Sequence, residues 1–329
     1  MKESSPTILR RLIPGIVLGF VVLVGLALLG DLREVGKLIS NFRWEFFLIA
    51  MGFTLLNYSL RFLKWHFYLK QIGVNRLGVG PSMRLFVGGF PLAVTPGKLG
   101  EVIKAVWLMR LTGVPVARGV SVVLAERISD GLAVLALSVL GVVSYPRYWP
   151  VFITILAVLL AVVIGSQIRP LVEWVLEQGE KVRFLQKAVR SLREFYEGSF
   201  TLFKPGATLL AVLLGTVSWL GEGLGFYFIL RGLGLEPSLE LAATAIFVLS
   251  FSTVVGAASA LPGGLGAAEA SIAGMLIFIL QLDPALATSA TLLIRLATLW
   301  FGVLLGMAVW ASSPALFGLE TGRVPAAET

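Results

Sequence analysis

Long apolar stretches separated by short polar ones set the rhythm of this chain, with spanning candidates at residues 12–30, 44–69, 119–143, 149–165, 206–230 and 285–310. The apolar positions follow one another without strand-like alternation, and about 20 of them let a helix cross a bilayer. The pattern predicts an all-α polytopic membrane protein with six full spans. Residues 12–30 follow Arg10 and Arg11 as a signal peptide would. The run is too long for one and has no A-x-A site, so it reads as a retained first span.

Two regions interrupt the rhythm. Residues 79–110 contain PGKLGE and residues 240–281 contain PGGLGAAE. Proline and glycine end helices, and a glutamate in hydrocarbon is costly. In the first region only residues 85–94 and 102–109 are apolar, too short to cross a core of about 30 Å. Each region predicts a re-entrant or broken helical hairpin, although residues 241–260 are long enough for a complete helix. Basic residues favour this layout. With hairpins and a cytoplasmic N-terminus, the inside segments hold 16 Lys and Arg and the outside segments 5; single crossings would give 9 and 12. Both termini, with a tail at 311–329, are then cytoplasmic.

The same order of elements occurs twice. Residues 1–143 and 149–310 each give a span, an amphipathic linker (31–43 and 166–205), a span, a hairpin and a span. Glu101 lies 26 residues before Arg127, and Glu269 lies 26 before Arg295. Three net crossings per half would insert the second half upside down, an inverted repeat with broken helices near the midplane. The longer linker mixes apolar positions at helical spacing with charge and reads as interfacial helix beside anionic lipid.

Composition then narrows the chemistry. The 329 residues are 57% hydrophobic and 14% charged, with net charge +8, which topology explains better than nucleic acid. No cysteine and one histidine, His66, leave no thiolate or paired-histidine metal site and no Ser-His-Asp triad. No cofactor is expected. The informative residues are polar ones at membrane depth.

Pro96, Gly97, Lys98 and Gly100, and Pro262, Gly263, Gly264 and Gly266, would stop one helix and turn the chain into another. The new helix ends point amides at a possible anion, with Lys98 and Lys104 adding charge. Glu101 and Glu269 are natural partners for Arg127 and Arg295, as a structural clasp or as a gate. Asp130 could partner Arg127 or line a pathway, on the same helix face as Glu126. Asn57, Arg61 and Lys64 form one stripe, with Lys64 near enough to an end to snorkel and Trp65 and His66 in an interfacial belt. Glu222, amid WLGEGLGFYF, suggests proton coupling or an arginine partner. Gly88, Gly89 and Gly256 read as close-packing positions.

The ordered set LRFLKWHFYL, PGKLGEVIKA, ERISDGLAVLAL, WLGEGLGFYF and PGGLGAAE resembles the flippase-like membrane domain of the lysyl-phosphatidylglycerol synthases and their free-standing relatives. The resemblance covers essentially the whole chain. It implies movement of phospholipids or lipid-linked sugars between leaflets, with Arg61, Glu101, Lys104, Arg127, Asp130, Glu222 and Glu269 in the lipid pathway. The sequence shows no soluble aminoacyl-transferase or glycosyltransferase domain, so the expectation is a non-enzymatic lipid translocase, a flippase or a scramblase. It would act on an anionic phospholipid or lipid-linked phosphate in a prokaryotic cytoplasmic membrane. A transporter of a small organic anion or ion would suit the same architecture. A membrane transferase would need an acid–base or metal constellation, and there is no D-x-D or H-x4-D.

With no native cysteine, single cysteines can report sidedness without background. Positions 114 and 185 should label from the cytoplasm, and 147 and 234 from outside. Labelling of 98 and 264 from the same face would overturn the inverted arrangement.

Overall fold

The structure, a computed structural model, describes residues 13–15, 17–22, 24–25, 28, 31–95, 100–142, 149–181 and 186–318. Among the described residues every regular element is helical. After helical residues within 13–28 come α1 (Leu32–Ser40), α2 (Trp44–Gln71), α3 (Val79–Gly88), a 3-10 turn (Phe90–Val94) and α4 (Ile103–Thr112). Then follow α5 (Val116–Val142), α6 (Trp149–Gln167), α7 (Arg169–Glu180), α8 (Gln186–Leu202), α9 (Pro205–Gly232) and α10 (Leu239–Ala258). A 3-10 turn (Pro262–Gly264) leads to α11 (Ala267–Leu280) and α12 (Pro284–Arg295). A π turn (Leu296–Trp300), α13 (Phe301–Ser312) and α14 (Pro314–Phe317) complete the series.

Helix ends lie where the residue chemistry puts them. Pro205 and Pro284 occupy the first turns of α9 and α12, where a missing N–H costs nothing. The Asp283 carboxylate accepts from Ala285 N, and the Ser238 hydroxyl accepts from Leu241 N, capping α12 and α10. At the far ends, Gly73 and Gly234 take positive φ just beyond α2 and α9.

By length and apolarity, α2, α9, α10, the Pro262–Leu280 segment and the Pro284–Ser312 segment can each cross a membrane. The bent pair α6 and α7, at 69°, would add a sixth. The 27-residue α5 is long enough as well, at about 40 Å, but carries Glu126, Arg127 and Asp130 within it. The two interrupted regions turn out unequal. In the first, α3 and α4 have ten residues each, about 15 Å and half a bilayer core. In the second, α10 has 20 residues and matches the full-length alternative for residues 241–260. Either depth leaves zero net crossings for such a hairpin, so the two forms are topologically equivalent.

The centre of the molecule is the antiparallel pair α2 and α9, each 28 residues long. Gly221, Gly225 and Gly232 of α9 lie against Phe53, Ala50 and Phe46 of α2, which lets the backbones approach. Asn57 Nδ2 donates to Ser218 O at 3.1 Å and Ser218 Oγ donates to Asn57 O at 3.2 Å. Each is the fourteenth residue of its helix, so this reciprocal contact marks the midpoint of both. On one side lies an apolar core containing Trp65, Leu69, Leu85, Trp107 and Ala211. On the other lies one containing Phe42, Ala50, Phe226, Ile229 and Ile272. The Asn57–Ser218 contact falls between the two cores, while Lys64, Lys104 and Glu126 lie at the edge of the first.

The breaks of the two hairpins meet, since a Cβ on Gly263 would lie 3.4 Å from Val94 Cγ1. Pro96, Gly97 and Lys98 lie outside the described residues. The start of the expected tail is packed rather than free. Phe317 is buried with its ring 4.7 Å from that of Trp107, and Trp310 Nε1 donates to Gly88 O at 2.8 Å.

Gly263, Gly264 and Gly266 all have positive φ, and a Cβ on Gly264 would sit 2.9 Å from the Gly256 Cα. Gly264→Ala should therefore destabilise the protein by about 1–3 kcal/mol. Gly274, with open space around it in α11, should accept alanine without loss. Thermal unfolding of both variants in detergent tests the contrast.

Candidate functional site

Charged side chains reach the interior from five helices and meet there. Asp130 of α5 is the hub. It pairs with Lys64, with Arg61 at 3.3 Å and with Arg127 at 3.7 Å. Arg61 and Lys64 come from one face of α2, a helical turn apart, as the stripe predicts. Arg127 also meets Glu101 at 3.3 Å, and Lys104 of α4 meets Glu126 at 2.8 Å. In the second half Arg295 meets Glu269 at 2.5 Å and donates from Nη2 to Gly263 O at 3.1 Å. Both Glu–Arg pairs suggested by the 26-residue spacing are present.

Two side chains occupy positions different from those the sequence suggests. Lys64 does not snorkel; it is fully buried against Asp130 and donates to Ser129 Oγ at 3.1 Å. Trp65 does not sit in an interfacial belt but lies in the core, with Lys104 Nζ 4.8 Å from the ring centroid. The reason is common to both: α5 brings carboxylates beside α2, and a buried carboxylate holds cations more strongly than water does. His66 shares a hydrogen bond with Ser82 Oγ at 3.1 Å and stays outside the network.

The amide-rich helix tips are also not vacant. Glu269 Oε2 accepts from Gly266 N at 2.7 Å, so the carboxylate caps its own helix while its other oxygen holds Arg295. Near the first break, Gly100 N donates to Thr95 Oγ1 at 2.9 Å.

Glu222 stands apart. It is 7% exposed and makes no hydrogen bond or ion pair among the described residues. It follows Ser218 by four positions as Arg61 follows Asn57, which places the two charges on opposite sides of the midpoint. The Arg61 guanidinium lies 5.8 Å from the Trp219 ring, and Glu222 feels the charges of both Arg61 and Arg295. Two buried donors nearby have no acceptor among the described residues, Arg61 Nε and Trp219 Nε1. Arg127 keeps 31% of its side chain accessible, which makes it the open edge of the network.

The π turn directly after Arg295 belongs to the same arrangement. Tyr58 OH donates to Thr298 O at 2.7 Å, satisfying a carbonyl in the widened turn, and Gly302 leaves room for the phenol. Glu126, Lys64 and Tyr58 thus join the site. Their only sequence signal is a polar or amphipathic residue on a helix that also carries Arg61 or Asp130.

Apolar spanning helices around a buried, mutually paired charge network define a polytopic α-helical membrane protein. The chain belongs to the family described as "Lysylphosphatidylglycerol synthase TM region", which it matches over residues 16–306. Among its relatives is a UPF0104 membrane protein of Methanothermobacter thermautotrophicus, 30% identical over 80% of this chain and 82% of the relative. A UPF0104 membrane protein of Pyrococcus horikoshii is 23% identical over 88% and 94%, and one of Methanocaldococcus jannaschii is 28% identical over 65% and 90%.

Removing the hub charge leaves Arg61 and Lys64 without a carboxylate. Asp130→Asn should cost about 3–5 kcal/mol of stability. Arg118→Ala, which breaks the partly exposed pair with Glu194, should cost about 1 kcal/mol or less. Thermal unfolding in detergent checks the ranking.

Proposed function

We propose that the protein is a membrane lipid translocase, a flippase or scramblase, that passes an anionic head group across the charged layer while the acyl chains stay in lipid. The observation that carries this reading is the pair of unsatisfied buried donors, Arg61 Nε and Trp219 Nε1, together with the accessible side chain of Arg127. A phosphate oxygen supplies the acceptor they lack, and guanidinium groups bind phosphate in a fork. The family description points the same way, since lysylphosphatidylglycerol is a phosphate-bearing lipid.

In this reading the two halves, 1–143 and 149–310, form an inverted repeat about the Asn57–Ser218 contact. The reciprocal hydrogen bonds support a local two-fold axis perpendicular to α2 and α9. Glu101 and Glu269 act as resident anions that yield Arg127 and Arg295 to the head group. The protein performs no covalent chemistry. It resides in a prokaryotic cytoplasmic membrane, consistent with its archaeal relatives, with both termini inside.

Reconstitution with leaflet-labelled phosphatidylglycerol tests the proposal. Transfer should exceed that of empty vesicles, and Arg127→Ala should slow it about tenfold or more, the worth of one charge-assisted hydrogen bond. Arg118→Ala should leave the rate unchanged. No transfer of any anionic or zwitterionic lipid, with uptake of a soluble organic anion instead, would establish the small-anion transporter.

A further inference from the structure

The charge balance around Asp130 leaves one position unexplained. Among the described residues five cations, Arg61, Lys64, Lys104, Arg127 and Arg295, are paired with four carboxylates, because Asp130 serves three of them. Glu222 is the fifth carboxylate of this layer. It is buried, bound to no partner among the described residues, and feels the charges of Arg61 and Arg295, whose guanidinium groups are already engaged elsewhere. Ionised, it balances the five described cations without contacting any of them. Protonated, it leaves a surplus positive charge.

We propose that Glu222 is a proton site coupled to anion binding, so that a phosphate-bearing ligand enters the charged layer together with a proton on this carboxylate. The proposal rests on the lipid-translocation reading and deepens it. A phosphate monoanion beside ionised Glu222 would put two negative charges in a low-dielectric layer that balances only one. Protonation from water removes the conflict, and the proton returns to water when the ligand leaves. The pair crosses as a neutral unit.

The surroundings of Glu222 bear this out from every helix packed against α9. From α2 come Arg61 and Tyr58, from α12 Arg295 and from α5 Asp130. The one titratable residue of α10, Glu240, lies at its exposed first turn. No other described carboxylate of the layer is without a cation within 4 Å.

The test is calorimetric binding of short-chain phosphatidylglycerol, and separately of inorganic phosphate, to the full chain in detergent. Titrations in buffers of different ionisation enthalpy measure proton uptake. The wild type should take up about one proton per lipid bound, with affinity rising up to about tenfold for each unit of falling pH. Glu222→Gln should bind with no proton uptake and no pH dependence, and Glu222→Asp should retain both. Lipid binding by the wild type without proton uptake overturns the coupling and leaves the lipid reading standing, whether or not the variants fold. Proton-linked binding of phosphate but not of the lipid upholds the coupling and overturns the lipid reading. Binding of neither overturns both. Persistent uptake in a folded Glu222→Gln protein overturns the assignment to Glu222.

Discussion

One carboxylate holding three cations is the constraint on which the interior is built. Asp130 draws Arg61 and Lys64 from α2 and Arg127 from its own helix, and so fixes α5 against α2 at the depth where water is scarce. Charges in such a place are tolerated only when paired, and the pairing brings more charges with it. Arg127 reaches on to Glu101, which anchors the first hairpin, while Lys104 of that hairpin closes on Glu126. The network is a set of mutual obligations. Removing any one member leaves another exposed to a medium that cannot solvate it.

The antiparallel contact of α2 with α9 gives this charge layer its position. Glycines on α9 bring the two backbones together, and Asn57 and Ser218 exchange hydrogen bonds at the midpoint of both helices. Apolar cores lie to either side of this contact, and the buried charges of Lys64, Lys104 and Glu126 pack against the first of them. The meeting of the two helix breaks at Val94 and Gly263 brings the hairpin tips to the same layer. Positive φ at Gly263, Gly264 and Gly266 turns the chain tightly enough for Glu269 to cap the helix and still hold Arg295.

An interior of this kind is closed but not inert. Each of its five described cations has a carboxylate partner, and the donors Arg61 Nε and Trp219 Nε1 have no acceptor among the described residues. The π turn after Arg295, held by Tyr58, adds a widened helical segment next to the residue that would have to move.

By itself, the sequence determined the helical class, the main spans, the two interruptions and the Glu–Arg spacing. These follow from apolar length, helix-breaking residues and periodicity, which are local properties. Even the pairs Glu101–Arg127 and Glu269–Arg295 were legible, because a buried charge demands a partner and few were on offer. Lys64 and Trp65 were misread because an intrahelical position says nothing about the neighbour. Snorkelling and burial differ only in whether α5 lies alongside with Asp130 and Glu126. Tertiary structure alone decided which of the allowed forms the second hairpin takes, that Glu269 caps its own helix, and that Glu222 has no partner among the described residues. Each of these depends on which helices meet, and at what depth. That is set by packing over distances the linear pattern does not encode.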